Sequence, residues 1–256
     1  MTPESSVTPV GDLPFELDAM ASAHRYQEWV FDLVRPYLGE RILEVGSGIG
    51  TMTSWLARFA PTVATDIDPL LLGRLAEAAL EWEAQPIGPH VFDIANDPRD
   101  KEWFADVDTV ISFNVLEHIP DDLAAVRGML AVLRESGGAG PRRLVIFVPA
   151  HQWAYGTVDQ TFEHCRRYSK RSMTALIAAA QIGPSRMRLR YFNTFGLPGW
   201  VVLGRVLRKP TFGPGSVNAM ERIVPIFRRL DPVLHGRHDL PLGQSLLCVV
   251  EVGVSF

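Results

Sequence analysis

The sequence predicts an α/β protein whose mostly parallel sheet is covered by helices on both faces. Three observations carry this. Short apolar runs alternate with amphipathic segments from Arg41 onward. A glycine-rich turn, ILEVGSGIG at 42–50, stands where the first run gives way to the first helical pattern of that alternation. With 256 residues and 47% hydrophobic content, the chain can bury one sizeable core.

In order, residues 1–18 are Pro/Ser/Thr-rich and aperiodic, so they read as a flexible tail, and 19–256 as one elaborated domain. Met20, Tyr26, Trp29, Val30, Leu33 and Val34 recur at helical spacing before Pro36. Strand and helix signals then alternate: RILEVG and 51–59, PTVATD and 69–83, HVFD, VDTVISF and 120–135, RRLVIFV and 170–181. Two more strands are expected in MRLRYFN and SLLCVVEV, separated by an irregular insertion near 193–242 with a helical pattern around 217–234. Gly196, Gly199 and Gly204 weaken any helix at the start of that insertion.

Composition excludes several classes. A net charge of -4 gives no basic footprint for nucleic acid. No run approaches the roughly 20 apolar residues of a membrane span. Two unpaired-looking cysteines, Cys165 and Cys248, and an N-terminus without secretory features point to a reduced, cytoplasmic protein.

In the glycine turn, Gly46, Gly48 and Gly50 let the backbone turn tightly and lie close to a ligand. The dinucleotide pattern G-x-G-x-x-G would put its last glycine at 51, which is Thr51, so the spacing disfavours NAD. Asp66, sixteen residues after Gly50 at the end of the second strand, is placed to accept both hydroxyls of an adenosine ribose, with Ile67 beside it. Asp68 reads as a helix cap. Asp93 and the backbone of Ile94 follow the third strand, where an adenine would need them. Asn114, Val115 and His118 follow the fourth, at the carboxyl edge of the sheet. Each signal alone is also what an ordinary glycine turn and capping aspartate would show; their joint order and spacing is specific.

On these residues, over about 20–192 plus the last strand, the chain resembles the class I S-adenosylmethionine-dependent methyltransferases, whose motifs read E-x-G-x-G-x-G, an acid after the second strand and a polar turn after the fourth. The resemblance implies a Rossmann-like seven-stranded sheet of order 3-2-1-4-5-7-6 with strand 7 antiparallel. It implies S-adenosylmethionine as cofactor and S-adenosylhomocysteine as product. Glu44, Gly46, Ser47, Gly48 and Gly50 would surround the methionyl part, Glu44 by organising the loop; Asp66 would hold the ribose, Asp93 and Ile94 the adenine, and Asn114 the methionyl amine.

A methyl sulfonium is already activated, so such an enzyme needs an aligned acceptor and one base. The segment 149–168, PAHQWAYGTVDQTFEHCRRY, opens at the cofactor edge and holds the densest set of titratable and aromatic residues. His151 is the first candidate base and His164 the second, unless His164 merely locks the loop against Asp159. Trp153, Tyr155, Asp159, Arg166, Arg167 and, from the N-terminal helix, Tyr26 are candidate acceptor contacts, although one arginine could instead pair with Glu163 or Asp159. The segment resembles that of a bacterial methyltransferase subgroup with P-A-H, Y-G, D, G-H and R-R-Y in this order; here Glu163 stands where glycine is usual. A metal held by His151, Asp159 and His164 lacks tight ligand spacing and is not expected.

The expected reaction is methyl transfer to a small, natural-product-like acceptor, with oxygen preferred over carbon or nitrogen. One alternative is a lipid-linked or prenylated acceptor at a membrane surface, for which the apolar then basic segment 191–209 speaks; that segment reads first as a substrate lid and second as a homodimer contact. Another is a non-catalytic S-adenosylmethionine-binding or assembly protein.

Overall fold

The computed structural model describes residues 20–97, 102–137, 140–181, 185–210, 215–238 and 240–253, side chains of 236–238 excepted. The tail expected at 1–18 lies outside the described residues.

Seven strands form one sheet: β1 (Ile42–Val45), β2 (Thr62–Asp66), β3 (Ile87–Val91), β4 (Thr109–Phe113), β5 (Arg142–Pro149), β6 (Ser185–Phe192) and β7 (Ser245–Val252). Their order is 3-2-1-4-5-7-6. The first five pair in parallel, and β7 runs antiparallel between β5 and β6. The helices are α1 (His24–Val34), α2 (Thr53–Phe59), α3 (Pro69–Ala79), α4 (Asp122–Glu135), α5 (Thr157–Thr161), α6 (Lys170–Ala179), α7 (Gly196–Val201) and α8 (Ser216–His238).

Continuous apolar runs form the central strands because both faces are covered. Successive side chains point to opposite faces, and the core divides accordingly. Leu43, Val110, Leu144, Ile146, Leu246 and Cys248 pack with Met129 and Leu133 of α4 and Met173 of α6. Their neighbours Ile42, Ile111, Val145, Phe147, Leu247 and Val249 pack with Trp29 and Val30 of α1, Leu56 of α2 and Val224 of α8.

Two features depart from local sequence signals. No side chain at Ala23 caps α1; Glu221, on α8, accepts from the backbone N–H groups of Arg25 and Tyr26 at 2.8 and 3.0 Å. The glycine-bearing start of the insertion is helical, α7 running into a π-helical turn at Val202–Val206. Packing overrides propensity there. A Cβ on Gly156, at the start of α5, would lie 2.7 Å from the carbonyl of Gly204, so two glycines let these segments touch backbone to backbone.

Candidate functional site

The site begins where β1 ends. Gly46 and Ser47 donate their N–H groups to the carbonyl of Thr65 at 2.8 and 2.9 Å, and the Ser47 hydroxyl accepts from the Thr65 N–H. The glycine turn is thus laced to β2. Gly46 has φ +75°, and a Cβ on it would lie 2.3 Å from Val115 Cγ2. It is required both by the left-handed backbone and by the close approach of the turn after β4. Glu44 is buried beneath the turn and accepts from the Thr53 hydroxyl at 2.5 Å. Burial pushes its carboxyl up to about 7, against the hydrogen bonds from Thr53 and Ser47.

Asp66 and Asp68 separate as their spacing suggests. Asp66 accepts from the N–H of Gly48 at 2.8 Å and of Asp68 at 3.0 Å, which fixes its carboxylate beside the glycine turn. Asp68 caps α3 through the N–H of Leu70. Ile67, next to Asp66, is 69% exposed, a bare apolar side chain at the sheet edge. Asp93 organises the turn after β3, accepting from Ala95 N–H and from the Asn96 side-chain amide. Ile94 is buried, and its carbonyl approaches so near to Gly128 of α4 that a Cβ there would stand 1.9 Å away. Asn114, at φ +51°, is exposed at the end of β4 and tied by its N–H to the carbonyl of Phe147. A cavity of about 460 Å³ lies between the glycine turn and α1, lined by His24, Gln27, Gly50, Thr51, Trp55 and Trp82 among others.

The segment 149–168 folds back onto the turn after β4. Cys165 N–H donates to the carbonyl of Glu117 at 2.7 Å, the Tyr168 hydroxyl donates to Asp122 at 2.9 Å, and Arg166 pairs with Asp122 at 2.6 Å and donates to the carbonyl of Pro120. At its centre lies the fully buried Asp159, which accepts from His164 Nδ1 at 2.9 Å, Arg167 Nε at 2.6 Å and Gly156 N–H at 2.9 Å. Burial works to raise the Asp159 carboxyl, but the hydrogen bond from His164 and the charge of Arg167 outweigh it and hold the group below the ordinary range. Arg167 is itself buried, donating also to the carbonyl of Ala150 and lying 4.6 Å over the Trp200 ring.

His151 is buried with φ +65°, its ring stacked 4.6 Å from Tyr191 and tilted against Trp153. Its Nε2 has no hydrogen-bond partner. Burial and the nearby Arg167 lower its pKa, which favours the neutral imidazole. His164 faces Asp159 on one side; its Nε2 lies 4.0 Å from Glu117 Oε1, and its ring meets His118 edge-on at 4.8 Å. Glu117 is fully buried, with no hydrogen-bond partner for either carboxylate oxygen, and burial pushes it up to about 8.

Several expected acceptor contacts are already engaged within the protein. Asp159, Arg166 and Arg167 are occupied by the framework above, because a short polar loop closing over a sheet edge must satisfy its own buried groups. Tyr26 sits in the core between Trp29 and Phe192, and burial raises its hydroxyl to about 12. Trp153 is half exposed, and Tyr155 borders a cavity of about 200 Å³ facing Gly204 and Arg205 of the insertion. Among the described residues, the group close enough to share an ion is Glu117, His118 and His164, not the trio His151, Asp159 and His164. The family resemblance implies a place for Leu116, Glu117 and His118 in the wall of the cofactor pocket; in the structure the Glu117 side chain is buried next to His164.

Residues 43–139 match a family model described as a methyltransferase domain. No curated protein matches the sequence. Among solved structures, the methyltransferase domain of bacterial CtHen1-C superposes with a TM-score of 0.58 at 14% identity, over 91% of this chain and 100% of that one. A SAM-dependent methyltransferase from Archaeoglobus fulgidus gives 0.54 at 11% identity, over 94% and 100%. The YcgJ protein from Bacillus subtilis gives 0.52 at 12%, over 90% and 99%. At these identities the likeness is one of fold.

Proposed function

We propose that this chain is an S-adenosylmethionine-dependent methyltransferase, a reading supported by the methyltransferase-domain match over residues 43–139 and by the strand order of its sheet, and that it methylates a small-molecule acceptor, at oxygen in preference to carbon or nitrogen. The observation that carries the reading is His151, a buried imidazole of lowered pKa whose enclosed Nε2 has no hydrogen-bond partner, in the loop that leaves the carboxyl end of β5 beside half-exposed Trp153. An acceptor hydroxyl in front of the sulfonium gives its proton to Nε2 as its oxygen takes the methyl carbon, and S-adenosylhomocysteine leaves. Glu44, Gly46, Ser47, Gly48 and Gly50 would cradle the methionyl part with Asn114 and Val115. Asp66 would hold the ribose, and Ile67, Asp93 and Ile94 the adenine. His118 would stand on the pocket wall.

The test begins with the cofactor. S-Adenosylhomocysteine at about 100 times its dissociation constant should add roughly 2.7 kcal/mol, a rise of several degrees in Tm. Asp66→Ala should abolish most of that rise; an equal rise in both proteins would remove Asp66 from the site. His151→Ala should then keep the rise while losing about 10²- to 10⁴-fold in turnover.

A second reading, a lipid-linked acceptor, is favoured by one observation. On α8, Ile223, Ile226, Leu230 and Val233 form an exposed stripe, and Val202, Val206 and Leu207 of the same insertion are exposed beside Arg205, Arg208 and Lys209. No helix among the described residues is long and apolar enough to cross a membrane.

A further inference from the structure

We propose that Glu117, His118 and His164 hold a divalent transition-metal ion, on which an oxygen of the acceptor binds. The inference deepens the methyl-transfer reading and rests on it for the acceptor; the ion site stands on its own geometry. One ligand atom from each of the three lies within 4.8 Å of the others. Small rotations bring such a set to the roughly 2.0–2.2 Å at which imidazole nitrogen and carboxylate oxygen bind Zn²⁺.

Two further observations point to a cation. The Glu117 carboxylate is fully buried and aimed into the cluster with both oxygens unpartnered, a position a protein seldom leaves unsatisfied. Asp159 accepts from His164 Nδ1, which fixes the tautomer: the lone pair of His164 is on Nε2, the atom facing Glu117. A carboxylate behind an imidazole in this way is the usual second layer of a metal-binding histidine. The sequence brings the parts from two places, the turn after β4 and the loop after β5, and the hydrogen bond from Cys165 N–H to the Glu117 carbonyl clamps them together.

Two imidazoles and one carboxylate suit Zn²⁺, Co²⁺, Fe²⁺ or Mn²⁺ better than Ca²⁺. Three protein ligands leave coordination positions open, and exposed His118 puts them at the solvent side, where an acceptor oxygen can enter. An acceptor hydroxyl bound there loses its proton more readily, and that proton passes to a base such as His151 while the methyl group moves from sulfur to oxygen.

The experiment uses the full chain stripped with a chelator and titrated with Co²⁺, read by its visible d–d absorption, with the S-adenosylhomocysteine shift in Tm measured on the same samples. Saturable one-to-one binding is expected in the wild type. Glu117→Gln, close to isosteric, and His118→Ala, at an exposed position, should each weaken it at least tenfold, and Asp159→Asn about ten- to a hundredfold. A wild type that binds S-adenosylhomocysteine but not Co²⁺, or Co²⁺ affinity unchanged in both Glu117→Gln and His118→Ala, overturns the site. Co²⁺ binding without S-adenosylhomocysteine binding keeps the ion site and removes the methyl-transfer reading.

Discussion

Glu163 occupies a backbone conformation that suits another residue. Its φ is +56°, in the left-handed region that costs a side chain about 1 kcal/mol or more. The turn it makes presents the N–H of His164 to the carbonyl of Asp159 at 2.9 Å, so the conformation is held by its neighbours, and the glycine usual at this place in the resembled subgroup has a physical reason. Glu163→Gly should raise stability by up to about 1 kcal/mol with the His164–Asp159 pair intact; urea denaturation reads this, and a loss of stability would show that Glu163 contributes a contact outweighing its strain. Glu44 carries the opposite lesson, a correct local geometry with a costly charge. Its carboxyl is ordinarily at 4.5 and is pushed up to about 7 in the fold. Below about 4.5 it is protonated folded or unfolded and costs nothing. Between 4.5 and 7 the unfolded chain releases the proton while the fold retains it, so stability falls as pH rises, and above 7 the penalty is complete, on the order of 3 kcal/mol. Glu44→Gln should flatten that part of the ligand-free stability profile between pH 5 and 8; identical slopes for the two proteins would refute the assignment.

At the scale of elements, contact between distant segments sets what each can be. The insertion begins as α7 and its π-helical turn because Gly156 and Gly204 meet backbone to backbone, and Thr157 donates from its hydroxyl to the carbonyl of Gly204 at 3.1 Å. Gly156→Ala keeps an allowed φ of -148°, so any effect comes from the added methyl. That methyl must push the insertion away from the loop, at about 1–3 kcal/mol. Faster hydrogen exchange confined to 196–206 is the expected signature, and unchanged exchange there would mean the glycine contact is not what docks the segment. The N–H groups of Arg25 and Tyr26 at the start of α1 are likewise satisfied by Glu221 of α8, and Arg228 of α8 pairs with Glu28 and Asp32 of α1. The N-terminal helix and the insertion therefore cover the sheet as one unit.

The molecule as a whole exposes its apolar surface unevenly. Among the described residues, eight exposed large hydrophobics, Val202, Val206, Leu207, Ile223, Ile226, Leu230, Val233 and Leu242, fall within the insertion, where basic residues also gather. If the acceptor is presented by a bilayer, the full chain should sediment with anionic vesicles at low salt, less at high salt, and much less after Ile226→Glu. No sedimentation at either salt would leave the soluble acceptor as the reading.

The strands, the glycine turn and the acid ending β2 were legible in the chain, because each depends on local spacing: apolar runs of strand length, glycines where the backbone must turn, an acid at a strand end; the order of the strands in the sheet came only with the family resemblance. The segment 149–168 was legible as a cluster of reactive side chains for the same reason. Which of those side chains are free was not. Arg166 and Arg167 look like acceptor grips in the sequence, yet one pairs with Asp122 and the other is buried on Asp159. Tyr26 looks like an acceptor contact and lies in the core. Glu117 looks like part of a polar turn, and only the return of the loop over it buries its carboxylate against His118 and His164. Spacing along a chain reports backbone geometry, whereas burial and pairing depend on segments about 50 to 200 residues apart being brought together, so only the tertiary structure could decide them.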